Sequence, residues 1–171
     1  MSESECFPIV TQAGAIIGKA SRKECHSGTF ILHPVVHLHV LNVAGELYLQ
    51  KRAATKDIQP GKWDTSVGGH VNFGESTVQA LRREAYEELC IADFNGVFML
   101  KYKFVSDVEA ELIHSFYCVY QGELIINPNE ISEGRFWSRT DIENSIGKDV
   151  FTPNFEYEYQ KIVAEKLLPI G

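Results

Sequence analysis

The chain has 171 residues, 44% hydrophobic and 23% charged, the composition of a globular protein able to bury a core without disulfides or a structural metal. Its net charge of −7, with no Lys/Arg cluster, excludes the basic footprint that a nucleic-acid duplex requires. No apolar run is long enough to span a bilayer, and the acidic start Met1-Ser2-Glu3-Ser4-Glu5 lacks the regions of a signal peptide, which predicts a cytoplasmic protein.

The length fits one domain over residues 1–171. Residues 7–20 read as a hairpin around Gln12-Ala13-Gly14, expected to cover a sheet edge of its own chain or of a second copy, so monomer and homodimer both fit. Residues 30–42, rich in Val, Leu and His, predict a buried strand. Ala44-Gly45 turns the chain into a second strand, 46–52, where Leu47 and Leu49 alternate with Tyr48 and Gln50. A loop marked by Pro60-Gly61 covers 53–62, and 63–71 reads as a short strand ending at Gly68-Gly69. Residues 76–89 give the clearest helix, with Val78, Leu81, Ala85 and Leu89 on one inward stripe. Two further strands follow at 97–105 and 112–121, then a last short strand at Phe136-Trp137 and helices at 140–146 and 155–168. Strands and helices mix without strict alternation, which predicts an α+β fold: a sheet flanked by helices. Cys6, Cys25, Cys90 and Cys118 form no C-x-x-C pair and read as reduced thiols.

Glu84, Glu87 and Glu88 stand at i, i+3 and i+4, which places all three on one helix face. Like charges at that spacing destabilise a helix by about 0.2–0.5 kcal/mol per pair, so the face needs either solvent or cations. A solvated acidic face is the plain alternative. A cluster of hard oxygen ligands suits Mg²⁺ or Mn²⁺.

The residues around this cluster extend the pattern. Gly69, Glu75, Arg83-Glu84, Glu87-Glu88 and Ile91 fall at the spacing Gly, five residues, Glu, seven residues, Arg-Glu-aliphatic-any-Glu-Glu-any-Gly-aliphatic. The stretch 69–91 resembles the Nudix box. Ala85 is a mild departure, and Cys90 stands where the box closes on Gly. A non-Gly residue in the left-handed conformation costs roughly 1–2 kcal/mol, which leaves the turn geometry open. The resemblance implies a Nudix-type α/β/α sandwich with a mixed β-sheet. It also implies metal-dependent hydrolysis of a diphosphate bond in a nucleoside diphosphate-linked or related small molecule. Glu84, Glu87 and Glu88 would then ligate Mg²⁺ (or Mn²⁺), Arg83 would orient them, and Glu75 would pair with Arg83. Glu84 and a glutamate of a later loop both remain open as the general base. Gly69 allows close approach of backbone to substrate. Lys51, Arg52 and Lys56 are either phosphate contacts or ordinary surface cations, and Trp63, Phe73 and Phe104 either stack a base or pack.

Leu32-His33, residues 47–53, Pro60-Gly61-Lys62-Trp63 and Ser66-Val67-Gly68-Gly69-His70 also resemble isopentenyl-diphosphate isomerases of the Nudix superfamily. That resemblance implies a second metal site of His26, His33, His70, Glu109 and Glu111, a donor set suited to Zn²⁺, Mn²⁺ or Fe²⁺. Each residue alone has a structural reading, a core histidine or an exposed strand-start glutamate. The isomerases carry a cysteine where this chain has Gly68, which disfavours isomerisation. A non-catalytic nucleotide-binding module is a third reading, but such a module could lose a metal-ligand glutamate and this chain keeps them all.

Overall fold

The computed structural model describes residues 5–169; Met1–Ser4 of the acidic start lie outside them. In chain order the elements are β1 (Cys6–Val10), β2 (Ile16–Ser21), α1 (Arg22–Cys25), β3 (Leu32–Leu41), β4 (Leu47–Arg52), β5 (Trp63–Asp64), β6 (Val67–His70), α2 (Thr77–Leu89), β7 (Val97–Val105), β8 (Ala110–Val119), β9 (Ile131–Trp137), α3 (Arg139–Ser145) and α4 (Pro153–Ala164).

β3 is the axis of the main sheet. Along one edge it pairs with β8 in parallel over its full length; β8 then pairs antiparallel with β7. The other edge is shared. Val35–Leu38 pair with β6, while Val40 and Leu41 pair with β4, both antiparallel. Ser66 fills the fork where these two partners diverge. Its hydroxyl accepts from Val40 N at 2.8 Å and donates to the Tyr48 carbonyl. The fork sets Gly68, Gly69 and His70 beside the middle of the sheet.

Side-chain parity along β3 defines three layers. Val36, Leu38 and Val40 pack with Ala80, Leu81, Ala85 and Leu89 of α2. Val35 lies on the opposite face with Ile113 and Ile162 of α4, and Leu41 with Leu47, Leu49, Ile142 of α3 and Phe155 of α4. The result is the expected sandwich around a mixed sheet.

Several sequence expectations shift in detail. Val78 is 51% exposed, and the inward stripe begins at Ala80 and Leu81, so the three residues that open α2 carry no core side chain. Tyr48 and Gln50 are buried along with Leu47 and Leu49, because helices and the β6 loop cover both faces of β4. The last strand spans seven residues rather than two: Glu133, Gly134 and Arg135 hide it in sequence, yet it pairs along β4. The final helix stops at Ala164, not Leu168. The four-residue α1, stabilised by a Ser21/Glu24 capping box, gives too short a pattern to read. The β1–β2 hairpin forms its own two-stranded sheet and roofs a group of histidines. Among the described residues, no helix is long and apolar enough to cross a membrane.

Candidate active site

α2 starts at a Ser76/Gln79 capping box and ends at Cys90, which adopts the left-handed conformation at φ 56°. Cys90 N–H bonds to the Tyr86 carbonyl at 3.0 Å and Ile91 N–H to Ala85 at 3.2 Å. The turn that Gly closes in the box pattern is thus kept, at the strain cost of a side chain.

The three helix carboxylates meet different surroundings. Glu87 is exposed. Glu88 is buried; its Oε2 accepts from Gln50 Nε2 at 2.9 Å and from Gly68 N at 3.2 Å. Burial pushes its pKa up to about 8, with the Glu84 charge adding to the effect. Burial likewise pushes Glu84 up to about 7, against the pull of Arg83. Glu84 lies so close to β6 that a methyl group on Gly69 would overlap its carboxyl carbon. Gly69 therefore serves the approach of Glu84 to the strand, a packing role beyond the substrate contact expected of it.

Arg83 ties the cluster together. Its Nε and Nη2 take both oxygens of Glu75 at 2.8 and 3.0 Å. Nη1 donates to Glu84 at 2.7 Å and to Glu87 at 3.3 Å, and Nη2 reaches the His70 carbonyl at 2.9 Å. Glu75 also accepts from Asn72 N at 3.0 Å, which pins the loop before the helix. The brace expected of Glu75 and Arg83 is present.

On the opposite face of β6, the His70 ring points into a second cluster. His26 Nε2 lies 3.1 Å from His70 Nε2 and 3.0 Å from Glu109 Oε2. His33 Nε2 is 3.5 Å from the same oxygen, and Glu111 Oε1 is 4.0 Å from His70 Nε2. The donor atoms of His26, His33, His70 and Glu109 all lie within 4.8 Å of one another. His33 Nδ1 is bonded to the Ile31 carbonyl at 2.8 Å, which turns Nε2 inward. His33 Nε2 and Glu109 Oε2 are both buried with no hydrogen-bond partner. Converging nitrogens and a carboxylate, two of them orphaned, fit a divalent cation. Phe7 of β1 stacks on His70 at 4.4 Å and 5° and on His33 at 5.6 Å, sealing the cluster from above.

Electrostatics here follow from crowding. Burial, together with the charges of His33 and His26, holds His70 well below the ordinary histidine value. Against the cost of burial, contacts with Cys25, Glu109 and the Ile31 carbonyl push His33 up to about 10. Against the same cost, His26 and His33 hold Glu109 far below the carboxylate range, whereas burial and the Glu109 charge push Glu111 up to about 7.

The candidate phosphate cations are tied to acids. Arg52 bonds the Ile58 carbonyl at 2.9 Å and lies 3.5 Å from Asp64; Lys56 pairs with Glu130; Lys51 lies 3.9 Å from Glu133 and over the Trp63 ring. Trp63 packs edge-on against Trp137 in the core, Phe73 is exposed under Lys19, and Phe104 lies against Tyr157. Sequence reasoning missed Gln50, Phe7 and the Gly68 amide as parts of the site. It also missed the buried group of His37, His39, Glu158, Ser115 and Tyr102. The parity of His33, His37 and His39 along one strand is the signal that could have drawn attention to them.

Comparison with known proteins places this geometry. The NUDIX domain family model matches residues 31–155. An uncharacterized Nudix hydrolase of Nostoc sp. is 39% identical over a match that spans 57% of each chain. An isopentenyl-diphosphate delta-isomerase of Photorhabdus laumondii is 30% identical, over 86% of this chain and 88% of that protein. The crystal structure of DR0079 from Deinococcus radiodurans superposes with a TM-score of 0.80 at 22% identity, covering 92% of this chain and 98% of the other. With Glu84 and Glu88 of its box gathered on β6, the chain belongs to the Nudix hydrolase family, whose enzymes act on phosphoric anhydride bonds.

Proposed function

We propose that this protein is a Mg²⁺-dependent (or Mn²⁺-dependent) pyrophosphohydrolase. Its substrate is a nucleoside diphosphate-linked or related small molecule, cleaved by water attack at phosphorus. The observation that carries this reading is the convergence of Glu84 and Glu88 on the backbone of Gly68 and Gly69, with Arg83 spanning Glu75, Glu84 and Glu87. Glu84, Glu87 and Glu88 would hold the cation, which neutralises diphosphate charge and makes a water acidic. Arg83 orients the carboxylates, and Gln50 and the Gly68 amide fix the rotamer of Glu88. Glu84 or a glutamate of a later loop would accept the proton from that water. Lys51, Arg52, Lys56 and Gly69 border the substrate.

His26, His33, His70, Glu109 and Glu111 would hold a second cation beneath Phe7, and their orphaned atoms support it. This cluster, and the similarity to an isomerase, favour isopentenyl-diphosphate isomerisation as the second reading; Gly68 in place of a cysteine counts against it. We place the whole activity in one domain of a cytoplasmic enzyme, monomeric or homodimeric.

The test is product release from nucleoside di- and triphosphates, ADP-ribose, dinucleotides and isopentenyl diphosphate, with Mg²⁺ and with EDTA. Cleavage of a nucleotide that stops in EDTA is expected. Silence on every nucleotide, with conversion of isopentenyl diphosphate to its allylic isomer, contradicts the hydrolase reading.

A further inference from the structure

The least explained group in the molecule lies under α4. Glu158 is fully buried, yet its carboxylate accepts from four side chains: His37 Nδ1 at 2.5 Å, His39 Nε2 at 2.9 Å, the Tyr102 hydroxyl at 2.9 Å and Ser115. Four donors fill the roughly four acceptor sites of an ionised carboxylate, which offsets its desolvation and holds the group rigid. The two histidines differ. His39 is fully enclosed, and its Nδ1 is sealed without a partner. His37 Nε2 has no hydrogen-bond partner among the described residues and is not sealed.

That free edge of His37 faces Gly68. The two residues are register partners on β3 and β6, and a β-carbon on Gly68 would lie 3.3 Å from His37 Cδ2 and 3.6 Å from Nε2. The imidazole edge thus borders the space that a side chain at position 68 would occupy. The same glycine donates its N–H to Glu88. His37 and the box carboxylates therefore border one residue from opposite faces of β6. Against the cost of burial, the charge of Glu158 and its hydrogen bond push His37 up to about 9, which favours the doubly protonated ring. Tyr102, bonded to Glu158 and at 2.7 Å to Asn154, stiffens the support.

We propose that His37 is a substrate-contact residue: held at Nδ1 by Glu158, it presents Nε2–H beside Gly68 to an oxygen of the diphosphate. This rests on the diphosphate reading above. A donor fixed in place before binding costs little entropy to use and adds charge to the hydrogen bond. Gly68 is then the residue that opens the space. Gly68→Ala sets a methyl against the ring, and Gly68→Cys extends into the same volume.

The experiment is titration calorimetry of methylenediphosphonate, a non-hydrolysable diphosphate, in Mg²⁺. His37→Asn keeps a donor at the Nδ1 position and deletes Nε2; His39→Gln keeps the His39 bond to Glu158 and serves as control. His37→Asn is expected to weaken binding at least tenfold, with His39→Gln close to the native protein. Equal affinity in native and His37→Asn protein overturns the proposal and leaves the diphosphate reading standing. Failure of the native protein to bind overturns both. Should His37→Asn not fold, nitrogen NMR of the native protein decides: the His37 Nε2 signal is expected to shift on titration while His39 stays fixed, and an unmoved His37 signal overturns the proposal.

Discussion

Arg83 Nη2 donates to the backbone carbonyl of His70 at 2.9 Å, so the guanidinium that gathers the helix carboxylates also fixes the residue whose ring enters the histidine cluster. One side chain on α2 thereby couples two clusters on opposite faces of β6. Arg83→Lys keeps the charge, but an ammonium cannot span the fork to Glu75, Glu84 and His70 together. Charge-assisted bonds contribute about 1.5–3 kcal/mol each, and each 1.4 kcal/mol is about tenfold in rate. A loss of roughly 100-fold in kcat/KM is expected on the substrate that the panel identifies, and a loss under threefold would remove Arg83 from the positioning role.

Gly69→Ala tests the approach of Glu84 to the strand. The added methyl must displace the Glu84 carboxyl, so Mg²⁺ affinity is expected to fall by about tenfold or more, in line with disturbed ligand positioning. Calorimetric titration of Mg²⁺ into native and variant protein measures it; unchanged affinity would mean that Glu84 is not a ligand.

The histidine cluster makes a separate expectation. Protein purified after growth with Mn²⁺ or Zn²⁺ is expected to retain about one equivalent of the metal, and Glu109→Gln to retain far less, because His26 and His33 lose their shared carboxylate. Metal analysis by mass spectrometry reads this directly. Equal content in both proteins would assign Glu109 a purely structural place.

Stability should depend on pH in a defined direction. Glu84, Glu88 and Glu111, at about 7, 8 and 7, and His33 and His37, at about 10 and 9, all have folded values above the ordinary ones. Their contribution is complete below the unfolded values and is lost as pH rises through the folded ones. Glu75, Glu109 and Glu158, held low, lose theirs only as pH falls below the ordinary carboxylate range. The metal-free protein is therefore expected to melt several degrees lower at about pH 9 than at about pH 6, with Mg²⁺ reducing the difference. A Tm that rises over this interval would contradict the assigned directions.

How much of this was legible in sequence depends on how local each signal is. α2 and its carboxylates could be read because capping residues, apolar spacing and box residues lie within one continuous stretch, and the structure keeps even the left-handed turn at Cys90. Relieving that strain by Cys90→Gly is expected to raise Tm by about 2–4 °C, the shift for roughly 1 kcal/mol in a chain of this size. The histidine cluster was reached through resemblance, since its members come from α1's end, β3, β6 and the start of β8 and share no spacing. Glu158 was not reached at all: 121 residues separate it from His37, and on sequence it is one more glutamate in an amphipathic helix. Val78 failed as a core residue because periodicity specifies a face but not which turns of it the sheet covers.

The carboxylate cluster as the centre of hydrolysis is tested most directly by Glu88→Gln. Burial already favours the neutral form of Glu88, and glutamine can keep the contacts with Gln50 and Gly68, so the variant is expected to melt at or above the native Tm. Its Mg²⁺-dependent cleavage of the identified nucleotide is expected to fall by at least about 100-fold, beyond the loss typical of outer partners of a metal ligand. A folded Glu88→Gln protein with native activity would contradict the account.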